Sequence, residues 1–458
     1  MASWIHKARW TATGAWHALR ERTLPWWPDG RLARLRDRRV RAIVAHAYAT
    51  VPFYRESMDA LGLRPSDIRG AADLAKLPIV GGAELAAAPR RFLSSRFDGR
   101  DTLMLDTTGT TGHYKRIHHD PRAVIVALAA GGRARAVETS ATGPRRRGGL
   151  LMIVPPAGTN VAVTNFHRDH LLASLAHRLA PAVVPLDRPY ADVVAQVNRL
   201  EPDAIATFGR FAGYLFRRAS QTGAPIHRPR LLRVGGDVLP EADRRLIEER
   251  YGVPVFASYQ SCEFLRIAFQ CERREGYHVS TDQVALRIVD DDGRDVAPGT
   301  PGQVVVSGLV NRATVLLNYR LGDRATLSDA RCGCGRTLPV LASIDGRSDD
   351  LLVRADGERV HESIVLRSLY GIAGLADVEV VQHAHDRVEA RVVVGRESDV
   401  ERVIVEAGRA ITELLGSPAN ARIDITPAAE IAPGPGGKRR AVICRLAPGA
   451  AVGAVPPP

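Results

Sequence analysis

The stretch Asp106-Thr-Thr-Gly-Thr-Thr-Gly-His-Tyr-Lys115 has the residue types and spacing of an anion cradle. Gly109 and Gly112 bracket Thr110 and Thr111, so the backbone can bend tightly and aim several N–H groups at one ligand. Thr107, Thr108, Thr110 and Thr111 add hydroxyl donors, and Lys115 adds positive charge. Asp120-Pro121 reads as the N-cap and first position of a helix, and a loop followed by a helix start suits a chain of phosphates. A plain Thr/Gly surface turn is the competing reading. The Walker pattern is excluded, because no Gly-Lys-Thr follows at the spacing it needs. A second group, Cys271, His278 and the Cys332-x-Cys334 pair, offers three thiolates and an imidazole, a donor set that suits tetrahedral zinc. Reduced cysteines are the alternative there, since Cys-x-Cys is less typical than Cys-x-x-Cys and the two halves are distant in sequence.

Hydrophobic periodicity outlines the elements that must position these groups. Val40, Ile43, Val44, Ala47 and Val51 share one helical face that Pro52 ends. A helix over 123–130 follows the loop and is interrupted at Gly131-Gly132. Residues 150–154 read as a buried strand closed by Pro155-Pro156. Strands at 182–186, 204–208, 231–234 and 254–258 then alternate with helices at 190–200, 211–219 and 241–251, which predicts a largely parallel sheet with helices on its faces. From 284 the text changes to antiparallel strands at 284–289 and 303–307 around the Asp-Asp-Asp-Gly turn at 290–293, and the β region continues through 313–319. Past Gly346 a small α+β unit restarts, with strands near 351–353, 378–382 and 388–394 and helices near 363–369 and 400–414. The Gly/Ala/Pro tail at 448–458 reads as disordered.

Length allows one large domain and a smaller one, and 45% hydrophobic residues support a packed core. Net charge is +13, carried almost wholly by arginine; Lys7, Lys76, Lys115 and Lys438 are the lysines. The arginines are spread along the chain, with one dense run from Arg31 to Arg41, and no nucleic-acid module accompanies them. A solvated basic surface with small anionic ligands is the expected reading, without nucleic acid. Five cysteines in so long a chain do not make a disulfide scaffold, and an odd count points to a reducing, cytoplasmic setting. The first residues lack the apolar core of a signal peptide, and no apolar run reaches spanning length. Trp4, Trp10, Trp16, Trp26 and Trp27 interleave with basic residues. Packing of an N-terminal helix on the main domain is expected there, with peripheral membrane contact as the alternative.

Six motifs in order give the chain a family resemblance: the Thr-Gly-Thr-Thr-Gly loop, Gly235-Gly236-Asp237, Tyr259-Gln-Ser-Cys-Glu263, Tyr319-Arg-Leu-Gly-Asp323, Gly346-Arg347-Ser-Asp349-Asp350 and Gly437-Lys438. Together they resemble the adenylate-forming (acyl/aryl-CoA synthetase) superfamily. The text from His46 to Arg55 looks most like the phenylacetate–CoA ligase branch. The resemblance implies an α/β adenylate-forming fold. A large N-terminal α/β and β-barrel body (1–346) would carry a small mobile C-terminal α+β lid (347–458). It implies that Glu263 binds magnesium beside the phosphates, that Tyr259 lies against adenine, and that Gly235, Gly236 and Asp237 pass backbone close to the ligands. By the same resemblance Asp323 accepts the ribose hydroxyls, Arg347 closes on that ribose, Asp349 is the hinge, and Lys438 bridges the attacking carboxylate and the phosphate. Some relatives in this branch also carry a zinc site of the Cys271, His278, Cys332 and Cys334 kind.

Departures from the pattern fall on Gln260 and Cys262, which replace the usual glycine and Thr/Ser, and on His113-Tyr114, which replaces Lys-Pro and leaves Lys115 to supply the charge. The implied reaction is ATP-dependent activation of an aromatic or arylacetic acid to an acyl-adenylate, followed by transfer to coenzyme A. Transfer to an amine, or a non-catalytic relative, are the alternatives, and a homodimer is compatible with either. Arg354 and Arg359 flank the Gly357 turn and favour coenzyme A. Asp356 in that turn does not.

Overall fold

The computed structural model describes residues 4–100, 102–108, 114–143, 149–156, 158–172, 181–347, 351–395, 398–416, 421–431 and 440–446. The chain divides into two compact units. The first holds 1–184, 203–205 and 256–344; the second holds 185–202, 206–255 and 345–458.

The first unit opens with three helices, Trp4–Glu21, Asp29–Thr50 and Pro52–Ala60. In the second of these Val40, Ile43, Val44 and Ala47 form the buried stripe that the periodicity predicts, and buried Leu32 and Leu35 extend it toward the helix start. Pro52 ends that helix and starts the next, where its missing N–H costs nothing. Val40, Ile43, Val44 and Ala47 join one core with Tyr54, Phe92, Ile117, Val304, Leu317 and Tyr319. Strands Leu103–Thr108 and Tyr114–His119 pair antiparallel, with Thr108 opposite Tyr114 and Thr107 opposite Lys115. A six-residue strand therefore stands between the expected loop and the helix it was expected to precede directly. That helix, Pro121–Thr142, is capped by Asp120, whose Oδ1 accepts from Ala123 N at 2.9 Å. It runs unbroken through Gly131-Gly132, contrary to the expected interruption. A Cβ on Gly131 would come within 3.1 Å of the Arg135 and Arg266 guanidinium groups, so close packing there takes the place of a break. Seven further strands neighbour one another in the order Val284–Val289, Pro301–Gly308, Tyr319–Leu327, Val340–Arg347, Tyr277–Val279, Ala268–Phe269 and Val255–Tyr259.

The N-terminal helix packs through Trp10 and through buried polar groups. Arg133 holds Glu21 and lies 2.8 Å from Asp282, all three buried, and Arg39 approaches Asp282 at 3.6 Å. Burial, reinforced by Arg20, Arg39 and Arg122, lowers the pKa of His17 to about 4. Burial, with Arg266 and Arg135 nearby, does the same for His167. Both imidazoles are neutral in the folded protein, and the unfolded chain would bind their protons near pH 6.5. Stability is therefore expected to be fully present above pH 6.5 and to fall as pH drops toward 4. Urea midpoints across that window check this. The His17→Gln/His167→Gln double variant should show a flatter slope, and an unchanged slope refutes the assignment.

In the second unit, helices Tyr190–Leu200 and Gly209–Thr222 accompany strand Leu231–Gly235. Four strands pair in the order Arg422–Pro427, Arg387–Val394, Leu375–Ala384, Val442–Cys444. Along Arg387–Val394 the buried Val388, Ala390 and Val392 alternate with exposed residues, the period-2 pattern of a half-buried strand. Helix Val400–Leu414 is capped by Asp399 and buries Val403, Ala407 and Ile411, one residue per turn. Strands at 351–353 and helices at 190–200 and 400–414 have the predicted bounds.

Arg217 ties this unit together. Its guanidinium pairs with Asp243, donates to Ala376 O at 3.0 Å, lies 3.9 Å from Asp377 and stacks 4.0 Å from the Tyr370 ring.

Candidate active site

Lys115 follows the hairpin tip on strand Tyr114–His119, and its Nζ lies 2.9 Å from Glu263 Oε1 and 3.1 Å from Tyr319 Oη. Tyr319 is fully buried at the start of its strand, and Glu263 is 7% exposed. Such a pair is stronger than a surface salt bridge, because little water remains to screen it. The structure thus brings the loop lysine onto the carboxylate expected to bind magnesium. Gly109–Gly112 and His113 lie outside the described residues, and the side chains of Thr107 and Thr108 are not described.

Tyr259 ends strand Val255–Tyr259, and its Oη donates to Asp323 Oδ2 at 2.6 Å. Asp323 sits on strand Tyr319–Leu327 just after Gly322, whose φ of +85° favours glycine. The adenine and ribose residues implied by the resemblance are hydrogen-bonded neighbours. A cavity of about 30 Å³ is lined by Glu263, His119, Ala123, Ala127, Leu265 and Leu309, among others. His119 is buried, which lowers its pKa, and its Nε2–H donates to the Cys262 carbonyl at 2.7 Å. Cys262 Sγ lies 3.1 Å from Thr159 Oγ1. No spacing in the sequence singles out His119. Tyr319 headed one of the six motifs without a role of its own, and its place before a Gly-Asp strand was the signal available.

The remaining implied residues lie in the second unit. Gly236 has a φ of +84°, and a Cβ there would come within 2.6 Å of Phe208, so the turn requires glycine after Gly235. Asp237 Oδ1 accepts from Arg210 N at 3.3 Å. Arg347 ends strand Val340–Arg347 after Gly346, whose φ is +110°. Asp349 and Lys438 lie outside the described residues. Arg354, expected to favour coenzyme A, pairs with Glu358 and donates to Leu414 O at 2.8 Å, so it is engaged within its own unit.

Cys271, His278, Cys332 and Cys334 converge, with all four ligand atoms within 4.8 Å of one another. Cys271 Sγ lies 3.6 Å from Cys332 Sγ, and Cys334 Sγ lies 3.3 Å from His278 Nε2. Ligand atoms around tetrahedral zinc stand roughly 3.5–3.8 Å apart, given its usual bond lengths. His278 Nδ1–H donates to the Leu338 carbonyl at 3.3 Å, which leaves the Nε2 lone pair facing the thiols. The donor set and spacing fit zinc. Cys262 and Cys444 stand apart from the cluster, as expected.

The fold is that of the adenylate-forming CoA ligases. A 2-hydroxyisobutyryl-CoA ligase in the postadenylation state superposes with a TM-score of 0.71 over 92% of this chain and 91% of that one, at 20% identity. In sequence the chain is similar to several phenylacetate–CoA ligases. That of Thermus thermophilus is 27% identical over 394 residues, covering 82% of this chain and 80% of the relative. That of Escherichia coli is 26% identical over 349 residues, covering 70% and 72%. No protein-family model matches the chain. Among the described residues no helix is long and apolar enough to cross a membrane.

Proposed function

We propose that this protein uses ATP to activate a carboxylic acid, aromatic or arylacetic, as an acyl-adenylate and passes the acyl group to coenzyme A. The observation that carries this reading is the pairing of residues from separate motifs: Tyr259 with Asp323, and Lys115 with Glu263 and Tyr319. A carboxylate is a poor electrophile because oxide would have to leave. Attack of its oxygen on the α-phosphorus expels pyrophosphate and installs AMP, a far better leaving group. The protein must screen and align two anions. Asp323 accepts the ribose hydroxyls, oriented by its bond from Tyr259, and Arg347 closes on the same sugar. Lys115 and the loop N–H groups meet the phosphates, with Gly235, Gly236 and Asp237 alongside the ligands. Lys438 stands between the reacting anions. Glu263 would hold magnesium, a hard cation that neutralises phosphate charge. Residues 347–458 serve as the lid and Asp349 as the hinge. The reduced thiols suit a cytoplasmic location.

Transfer to an amine is the second reading. It is favoured by Arg354, which is engaged with Glu358, and by Asp356, exposed on the Gly357 turn, which would repel the phosphates of coenzyme A. Acid-dependent ATP–pyrophosphate exchange with a panel of acids tests the adenylation. AMP release with coenzyme A against amines then tests the acceptor. No exchange with any arylacetic or aromatic acid removes the first reading, and turnover with an amine alone reverses the order of the two.

The thiol–imidazole cluster would hold one structural zinc, whose four bonds pin the strands around 271–278 to the 332–334 turn and leave no open position for chemistry. Elemental analysis of chelator-washed protein is expected to give about one zinc per chain, falling to near zero in Cys332→Ser/Cys334→Ser. Metal-free protein with three freely titratable thiols at these positions would refute it.

A further inference from the structure

The N-terminal helix packs half-buried Trp10 against an apolar cluster yet leaves a second apolar face outside. Its buried side carries His17 and Glu21, while Trp4, Ile5, Ala12, Ala15, Trp16 and Leu19 are exposed. At 3.6 residues per turn these six fall within an arc of about 120°. The large ones are 72%, 76%, 59% and 63% exposed for Trp4, Ile5, Trp16 and Leu19 respectively. Fraying does not explain the orientation. Turning the apolar face inward would pull Glu21 from Arg133, and breaking a buried ion pair costs far more than exposing a few apolar side chains. A contiguous exposed patch of this kind marks an interaction surface.

Its borders identify the partner. Arg9 and Arg20 follow the apolar arc on one side. Arg20 lies 5.7 Å from the Trp16 ring and 5.8 Å from the Trp27 ring, and Arg31 stacks 3.6 Å from Trp27. This ladder of rings and guanidiniums leads from the apolar face to the next helix. There Arg31, Arg34, Arg38 and Arg41, spaced three or four apart, are all exposed on one side. Tryptophan and arginine around an apolar helical face are the composition of an interfacial helix, and exposed arginines add attraction to anionic headgroups. A second copy of the chain fits less well, because each copy carries a net charge of +13 and would bring the same arginine border against itself.

We propose that the helix Trp4–Glu21, with the arginine stripe of the helix that follows, docks the protein onto an anionic lipid surface. The helix lies flat in the interface, its polar side still bound to the protein. The proposal is independent of the reaction the enzyme performs.

The test is co-sedimentation of the full chain with vesicles of phosphatidylcholine, alone or with phosphatidylglycerol, at low and high salt. Binding to the mixed vesicles is expected, weakened by salt and absent from phosphatidylcholine alone. The variant Trp4→Ser/Ile5→Ser/Trp16→Ser/Leu19→Ser should lower the bound fraction about tenfold or more, and Arg31→Gln/Arg34→Gln/Arg38→Gln/Arg41→Gln should remove the salt dependence. Both variants should keep the parent's thermal melting and helical circular dichroism, so that lost binding is not lost folding. Three results would overturn the proposal. One is the parent staying in the supernatant with the anionic vesicles. Another is the serine variant binding as well as the parent. The third is light scattering that shows a parent dimer dissolved in the serine variant, which assigns the face to a second copy.

Discussion

Lys438→Ala is expected to lower acid-dependent ATP–pyrophosphate exchange by about a hundred- to a thousandfold, the range found when one preorganised charge or donor is removed from a transition state. The reacting carboxylate and the α-phosphate are both anionic, and their repulsion peaks as the new bond forms. A mobile ammonium on a four-carbon stem can follow both oxygens through that step, which a planar guanidinium does less well. The chain otherwise uses arginine, so the lysine in Pro435-Gly-Gly-Lys438-Arg-Arg is chemically distinct from its neighbours. Lys438→Arg should recover only part of the rate. The thermal midpoint is expected to match the parent within experimental error, because the change removes one charge from a polar Gly/Arg segment. Exchange at the parent rate in Lys438→Ala would remove the residue from the mechanism while leaving the adenylation reading in place.

Arg217→Ala is expected to destabilise the second unit by about 3–5 kcal/mol, the cost of breaking a buried ion pair from one side. Arg217 is 9% exposed, and Asp243 and Asp377 are 2% and 6% exposed. Without the guanidinium, two carboxylates stay buried beside one another with no cation in contact through Arg217, and the Ala376 carbonyl loses its donor. Burial already raises the Asp243 pKa, with Arg217 opposing it, so the variant should push this carboxyl further up. The loss should therefore be largest at neutral pH and shrink as acid protonates Asp243. Urea unfolding followed at pH 7 and pH 5 provides the measurement. A loss below about 1 kcal/mol at pH 7 would mean that the cluster behaves like a surface pair. Arg217→Met, which keeps much of the packing volume, should lose nearly as much if charge is what matters.

The motifs and the local elements were legible in the chain because their determinants are local. Asp120-Pro121 caps a helix through its own neighbours, and the stripe Val403, Ala407, Ile411 declares a helix at 400–414 whatever lies beyond it. Gly236 was legible as a tight turn because only glycine relieves a φ of +84° under a ring. Local reading failed where the outcome depended on distant partners. Gly131-Gly132 looked like a break, yet the helix continues because packing against Arg266, more than a hundred residues on, decides that position. The strand after the phosphate loop carries His118 and His119 and no clean alternation, so its pairing with Leu103–Thr108 was not apparent.

By itself the sequence determined the order of motifs, the alternation of strands and helices, the basic charge, and a resemblance strong enough to name a fold and a reaction. Tertiary structure alone decided which of those residues meet. It set Lys115 on Glu263, Tyr259 on Asp323, and four zinc-type ligands from 271 to 334 within one small volume. It also drew 206–255 into one unit with 345–458, where buried Arg217 faces Asp243 and Asp377. And it left the apolar face of the first helix turned to solvent. The physical reason is common to all of these. A side chain's type and period are properties of its neighbours in the chain, whereas its charge partner, and which face of its helix is desolvated, are settled by groups that only folding brings near.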